Sequence, residues 1–305
     1  MDKNIKIWGV RSHLAGDLVF ALPVLNYLEL KYPGSYKYWT IAKKCAGFAP
    51  IFFNHPLINC IRIVDEKQEN FNQKDVEIVK SCDLVINITP QHKFGMPATT
   101  PESCWWNYKD VYQETFEMSG FNISEYNNMP KDLQIPRLER WFDVNTNNFG
   151  YYGYKFIGIW PFSSYGKDSK RSPSIEWWSK TIELLNKEGY SIFHFGGEKE
   201  STFYHVNGPN TNKYFCWTHL PIFEQIKMSL ACETCINTNS GSGAILAAYG
   251  AKQITLLTDD APRHFQNFLA FAPKNCYDRN INVFEKGGCN QVKTEQVLEV
   301  IKQLK

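Results

Sequence analysis

The sequence predicts an α/β protein of two domains, each built on a doubly wound parallel sheet. Three observations carry this expectation. Short apolar, β-branched runs alternate with helical apolar patterns along most of the chain, which is how strand–helix–strand units read. The theme is stated twice, from residue 5 and again from residue 156, with a stretch at 143–153 rich in Asn, Thr, Gly and Tyr between them that reads as a linker. The length of 305 residues is enough for two ordinary α/β domains with cores of their own. The expected division is therefore 1–150 and 151–305.

In the first half, residues 5–10 read as a buried strand and 11–17 as a loop. A helix is expected from about 18 to 31, because Leu18, Ala21, Leu22, Leu25 and Leu28 recur at helical spacing and Tyr32-Pro33-Gly34 stops the pattern. The loop has no G-x-G-x-x-G, which disfavours a nicotinamide enzyme. Asp17 has two readings: a first-turn acid complementing the helix dipole, or a carboxylate at the carboxyl end of a parallel strand, where open α/β sheets place their ligands. His13 is a secondary candidate beside it. Residues 38–41, 60–64 and 84–88 read as strands, 46–53 as a helix and 65–74 as a polar segment. From 89 to about 110 the pattern breaks into a loop with Pro90, Pro97, Pro101 and the cluster Cys104-Trp105-Trp106-Asn107-Tyr108. A long loop with so many aromatics is expected to shape an acceptor pocket, or to pack as an aromatic patch on the core. Residues 132–136 read as extended.

In the second half, 156–160 reads as a strand, followed by Ser163, Ser164 and a basic cluster at 167–171. That cluster is either a solvated patch or the place from which Lys170 reaches a phosphate. A helix is expected from Ser174, with Ile175, Trp178, Ile182 and Leu185 on one face and Gly189 at its end. A strand at 191–195 leads into Gly196-Gly197-Glu198, a glycine pair that would let a flat ring approach the backbone. Residues 221–231 read as a helix, 253–257 as a strand and 294–305 as a closing amphipathic helix.

The most informative stretch is 236–250. A short apolar run ends in Asn239-Ser240-Gly241-Ser242-Gly243 and opens into an Ala- and Leu-rich helix closed by Gly250. The first N–H groups of such a helix lack partners, and its dipole adds partial positive charge, so a phosphate or diphosphate can sit there. Glycines at 241 and 243 would let an oxyanion approach the amides; the alternative is an ordinary N-cap.

A formal net charge of +2, without a dense basic run, argues against a nucleic-acid binder, which leaves small molecules or glycans as partners. Aromatics make up 15% of the chain, which suits stacking on bases or sugars and equally suits an aromatic core. Residues 1–10 show no signal-peptide pattern, and no run of about 18 apolar residues would span a bilayer, so a cytoplasmic protein is expected. Nine scattered cysteines read as reduced thiols, and the Cys232–Cys235 pair, with no second half-site, as structural. No Asp-x-Asp occurs, so the usual carboxylate pair that holds a metal on a sugar-nucleotide diphosphate is missing.

Several segments, in order, resemble the family-nine glycosyltransferases, the heptosyltransferase-like enzymes of lipopolysaccharide assembly. They are Ala15-Gly16-Asp17 before Ala21-Leu22-Pro23; Tyr32-Pro33-Gly34; Ser163-Ser164 and Lys170 before Trp177-Trp178; Gly196-Gly197-Glu198; Asn239-Ser240-Gly241 before Leu246-Ala247-Ala248; and Cys289 before the last helix. The resemblance implies two Rossmann-like domains in a GT-B arrangement with the ligand cleft between them, an N-terminal acceptor domain and a C-terminal nucleotide-sugar domain. It implies an inverting, metal-independent transfer from a nucleotide-diphosphate sugar to a glycan or glycolipid hydroxyl, with no cofactor beyond the donor. Asp17 would be the general base, and Ser12, His13, Gly16, Trp105 and Trp106 would meet the acceptor. Ser163, Ser164, Lys170, Gly196, Gly197, Glu198, Asn239, Ser240, Gly241, Ser242 and Gly243 would meet the donor. Peripheral contact with the inner face of a membrane follows if the acceptor is a lipid. Two departures stand out: the family usually has an acid at the position of Asn239 and a histidine at that of Ala244. They withhold heptose specificity and leave open a nucleotide-sugar epimerase or hydrolase of the same fold, or an inactive accessory protein.

Overall fold

The computed structural model describes residues 5–10, 15–65, 70–87, 116–117, 119–144, 155–162, 172–197, 213–238, 240–257 and 279–304. The chain forms two compact units, Met1–Trp141 and Phe142–Lys305. Neighbouring aromatics mark the division. Trp141 belongs to the first unit, where its Nε1 donates to the Pro50 carbonyl at 3.1 Å and its ring lies 6.2 Å from that of Phe53. Phe142 belongs to the second, edge-on to Phe223 and Tyr249.

The first unit carries a four-stranded parallel sheet of order β3-β2-β1-β4, made of β1 (Lys6–Val10), β2 (Tyr36–Ala42), β3 (Cys60–Val64) and β4 (Leu84–Asn87). Ile7, Trp8, Trp39, Ile41 and Ile86 are buried in its strands, as the apolar runs require. The first helix differs from expectation. It begins at Ala15, so Asp17 stands in the first turn of α1 (Ala15–Phe20) and not in the loop. The helix then breaks at Ala21 and restarts as α2 (Leu22–Lys31), with Pro23 in its first turn. Proline has no N–H and its ring clashes with the carbonyl four residues back, so one continuous helix through residue 23 is disfavoured.

Other departures have equally local causes. The segment read as a helix over 46–53 is a 3-10 helix, Lys43–Phe52, with Pro50 inside it. The polar segment ends in an unforeseen helix, α3 (Gln73–Lys80), whose N-cap Asn72 accepts from the Asp75 N–H. The buried Asp75 carboxylate takes two bonds from the Arg62 guanidinium, at 2.8 and 2.6 Å, which ties α3 to β3. A second unforeseen helix, α4 (Ile123–Asn128), starts in a capping box between Asn122 and Glu125. Residues expected to be extended at 132–136 open instead in a 3-10 turn, Lys131–Leu133.

The second unit carries a six-stranded parallel sheet, order β10-β9-β8-β5-β6-β7. Its strands are β5 (Lys155–Trp160), β6 (Tyr190–His194), β7 (Tyr214–Cys216), β8 (Thr234–Thr238), β9 (Gln253–Leu257) and β10 (Asn280–Phe284); β7 and β10 were not foreseen. Renumbered within the unit this is 3-2-1-4-5-6, the doubly wound order of dinucleotide-binding folds. One face packs on α5 (Ile175–Lys187) and α8 (Thr294–Gln303) through Trp177, Trp178, Ile182, Leu185, Val297 and Ile301. Ser174 caps α5 through the Trp177 N–H, and Gly189, at φ +92°, follows its end. The other α-helices among the described residues are α6 (Ile222–Ala231) and α7 (Gly241–Ala248). Among the described residues no helix is long and apolar enough to cross a membrane.

Candidate functional site

In an open α/β sheet the ligand crevice lies beyond the carboxyl ends of the strands where the order reverses. In the first unit that point falls between β1 and β4, and the first turn of α1, with Gly16 and Asp17, follows β1 there. Gly16 is buried; the Asp17 side chain is not among those described. In the second unit it falls between β5 and β8, and α7 starts directly beyond β8.

The start of α7 is open. Its N-cap Ser240 has extended backbone (φ −144°, ψ 167°), the geometry of a capping serine, yet its side chain caps nothing. The hydroxyl instead pairs with that of Ser242 at 2.9 Å. The Gly241, Ser242 and Gly243 N–H groups find no acceptor among the described residues, whereas Ala244 N–H already reaches the Ser240 carbonyl. These donors, two serine hydroxyls and the positive end of the helix dipole make a receptor for an anion. Behind the turn runs a buried amide relay: Asn237 Nδ2 donates to Gln253 Oε1 at 2.6 Å, and Gln253 Nε2 donates to the Gly243 carbonyl at 2.9 Å. It holds the first turn of α7 from its carbonyl side. Asn237 Oδ1 and Thr238 Oγ1, both fully buried at the end of β8, have no hydrogen-bond partner among the described residues. Such groups cost about 1–3 kcal/mol each, so their place beside the open turn marks it as more than a strand end.

Gly243 does not have the part expected of it. A Cβ there would meet Asn237 and Thr238 at 3.5 Å or more, ordinary contact on the protein side of the turn, so its lack of a side chain does not clear the way for a ligand. Gly196 also differs. It is buried, with φ +148°, and both its polar groups are engaged: its N–H donates to Gln225 Oε1 at 2.7 Å and its carbonyl accepts from Gln225 Nε2 at 3.0 Å. Only Gly197 of the pair is exposed.

Next to this turn, Tyr214 Oη lies 2.7 Å from His194 Nδ1, and Cys216 Sγ lies 3.7 Å from the same nitrogen and 3.4 Å from Thr218 Oγ1. Burial pushes the Cys216 thiol up, but the hydrogen bonds from His194 and Thr218 outweigh it and bring the thiol down to about 7. Cys232 is pushed well up by burial and by Cys235; the two thiols donate to the Met228 and Ser229 carbonyls, a packing role at the junction of α6 and β8. Among the described residues no group of His, Cys, Asp or Glu could hold a metal ion.

Of the residues singled out in the sequence, the structure brings Ser240, Gly241, Ser242 and Gly243 together at the switch point of the second sheet and sets Gly196 and Gly197 at the exit of β6. Ser12, His13, Trp105, Trp106, Ser163, Ser164, Lys170, Glu198 and Asn239 lie outside the described residues. Ala244 is 4% exposed, packed into the first turn of α7. Sequence reasoning missed Gln225, Asn237 and Gln253. Their only local signal is a polar residue on an otherwise apolar strand or helix.

No protein-family model matches the sequence, and no curated protein matches it. Solved structures do. A family 9 glycosyl transferase from Veillonella parvula superposes with a TM-score of 0.74 at 13% identity, over 99% of this chain and 97% of its own. ADP-heptose lipopolysaccharide heptosyltransferase II of E. coli gives 0.71 at 13%, over 98% of both chains. An E. coli heptosyltransferase solved with ADP gives 0.62 at 14%, over 99% of this chain and all of the other. The chain has the fold of these glycosyltransferases, the GT-B fold, across both units, as its sequence predicts.

Proposed function

We propose that the protein is an inverting, metal-independent glycosyltransferase that moves a sugar from a nucleoside-diphosphate donor to a hydroxyl of a glycan, such as a lipopolysaccharide or another surface polysaccharide. The observation that carries this reading is the uncapped start of α7 at the switch point of a 3-2-1-4-5-6 sheet. The GT-B fold and the ADP held by one structural neighbour point to a nucleoside diphosphate as the anion. Asp17, at the corresponding edge of the first sheet, takes the proton of the acceptor hydroxyl as its oxygen attacks the anomeric carbon. The bond from that carbon to the diphosphate breaks, with inversion. The charge gathering on the leaving diphosphate meets the Gly241, Ser242 and Gly243 amides and the Ser242 hydroxyl, and Lys170 is the cation the family resemblance assigns to it.

The departures at Asn239 and Ala244 favour one rival, an accessory protein that keeps the fold without transfer. Thermal unfolding against a panel of nucleoside diphosphates and their sugars tests the reading, since a ligand at 100 times its dissociation constant adds about 2.7 kcal/mol. Stabilisation by one base family is expected and identifies the donor; a flat response to the whole panel overturns the transferase. With the donor known, Asp17→Asn is expected to lower transfer about 10²- to 10⁴-fold while donor binding stays at the wild-type level. Transfer near the wild-type rate would show that another group is the base.

A further inference from the structure

Gln225, in the first turns of α6, is 2% exposed and spends its carboxamide wholly on backbone. It accepts from the Gly196 N–H at 2.7 Å and donates to the carbonyls of Gly196 at 3.0 Å and Leu220 at 2.8 Å. Gly196 belongs to the turn that leaves β6 and Leu220 to the turn that leaves β7, so one side chain joins the exits of two neighbouring strands. The same helix reaches a third. The Gln225 carbonyl accepts from Ser229 Oγ at 2.9 Å, and Ser229 Oγ accepts from Trp160 Nε1 at 3.1 Å, Trp160 being the last residue of β5. A buried amide with all these bonds is costly to disturb, because each orphaned carbonyl or N–H loses its partner without regaining water. The Gly196 turn depends on it in particular: φ +148° is a conformation few residues adopt, and the two-point grip of Gln225 holds the two peptides on either side of Gly196 in that arrangement.

We propose that Gln225 is a positioning residue of the donor site: β6 is the second strand of a doubly wound sheet, whose exit meets the ribose in dinucleotide-binding folds, and by fixing the β6 and β7 exit turns against each other Gln225 shapes the wall that meets the nucleoside and leaves the diphosphate to α7. The proposal rests on the transferase reading above. It separates two parts of one ligand by the residues behind them, Gln225 on the nucleoside side and the Asn237–Gln253 relay on the phosphate side. Gln225 itself touches no ligand in this scheme.

The test measures binding of the nucleoside diphosphate preferred by the wild type, and of inorganic pyrophosphate, to wild type, Gln225→Met and Gln225→Asn. Met keeps the length and removes all three bonds; Asn keeps the amide but is too short to hold both turns, and disturbs folding less. The expected result is about a tenfold loss of nucleoside diphosphate affinity in Gln225→Met, a smaller loss in Gln225→Asn, and pyrophosphate affinity unchanged in both. If the two ligands weaken together, or neither weakens while the unfolding temperature drops, Gln225 serves stability alone and the inference fails by itself. If the wild type binds neither ligand, the transferase reading fails and takes the inference with it.

Discussion

Two glycine turns on the carboxyl edge of the second sheet are each backed by a buried glutamine, and the glutamines do opposite things. At the β6 exit Gln225 engages both the N–H and the carbonyl of Gly196, so that residue has no backbone group left to offer. At the β8 exit Gln253 takes only the Gly243 carbonyl, and the amides of Gly241, Ser242 and Gly243 find no acceptor among the described residues. Composition does not distinguish the two turns. What does is which side of the peptide the fold consumes, and that divides a wall from a receptor.

Ser240→Asp breaks the comparison by making the open turn resemble the closed one. The extended backbone at 240 suits an aspartate N-cap, whose carboxylate would take the free amides and oppose an incoming anion. The expected outcome is a loss of nucleoside diphosphate affinity of about 100-fold or more, with stability unchanged or raised by about 0.5–1 kcal/mol, read by calorimetric titration and urea unfolding. Binding at wild-type strength would remove α7 from the site.

One substitution made at both glycines sharpens the contrast through stability. Gly196→Ala forces a side chain onto φ +148° and is expected to cost about 1–2 kcal/mol. Gly243→Ala has a helical backbone and meets nothing closer than 3.5 Å, so it is expected to be neutral or to add up to about 1 kcal/mol. Equal effects at the two positions, by urea midpoint, would mean that their backbones are not distinguished in this way.

A pH effect of similar size should leave both turns untouched. In the first unit, burial lowers His55 from 6.5 to about 4, and its Nδ1 accepts from the Leu57 N–H, which requires the neutral ring. Because the folded pKa lies below the unfolded one, the unfolded chain binds more protons between those values; the stabilisation is complete above about 6.5 and is lost as pH falls towards 4. Stability should drop by about 2 kcal/mol from pH 7 to pH 5 through this group, and His55→Asn should remove that slope. An unchanged slope would assign the acid sensitivity elsewhere.

Much of the fold was legible because periodicity survives in single segments. The strands β1, β5 and β9 are runs of apolar residues, and α5 carries Trp178, Ile182 and Leu185 at helical spacing under a serine cap. The misses have physical reasons. The three-residue β7 is too short to show a period, and α3 keeps only Asp75 buried, held by Arg62, so its pattern resembles solvent-facing chain. Helix α4 has a readable signal in Asn122 and Glu125, whose spacing is that of a capping box. At the site, the Ser240–Gly243 turn was visible as a motif, but the glutamines that decide its character were not. Gln225 lies 29 residues from Gly196 and Gln253 lies 10 from Gly243, and only the fold brings each pair together.

The most direct test of the central claim follows the backbone amides of the two turns by heteronuclear NMR while the preferred nucleoside diphosphate is added. An amide that acquires a charge-assisted hydrogen bond to a phosphate oxygen moves strongly downfield. The account predicts such shifts for Gly241, Ser242 and Gly243 and none of that kind for Gly196, whose N–H stays on Gln225. Hydrogen-bond shifts at Gly196 with the 241–243 amides unmoved would contradict it, and would place the phosphate at the β6 exit.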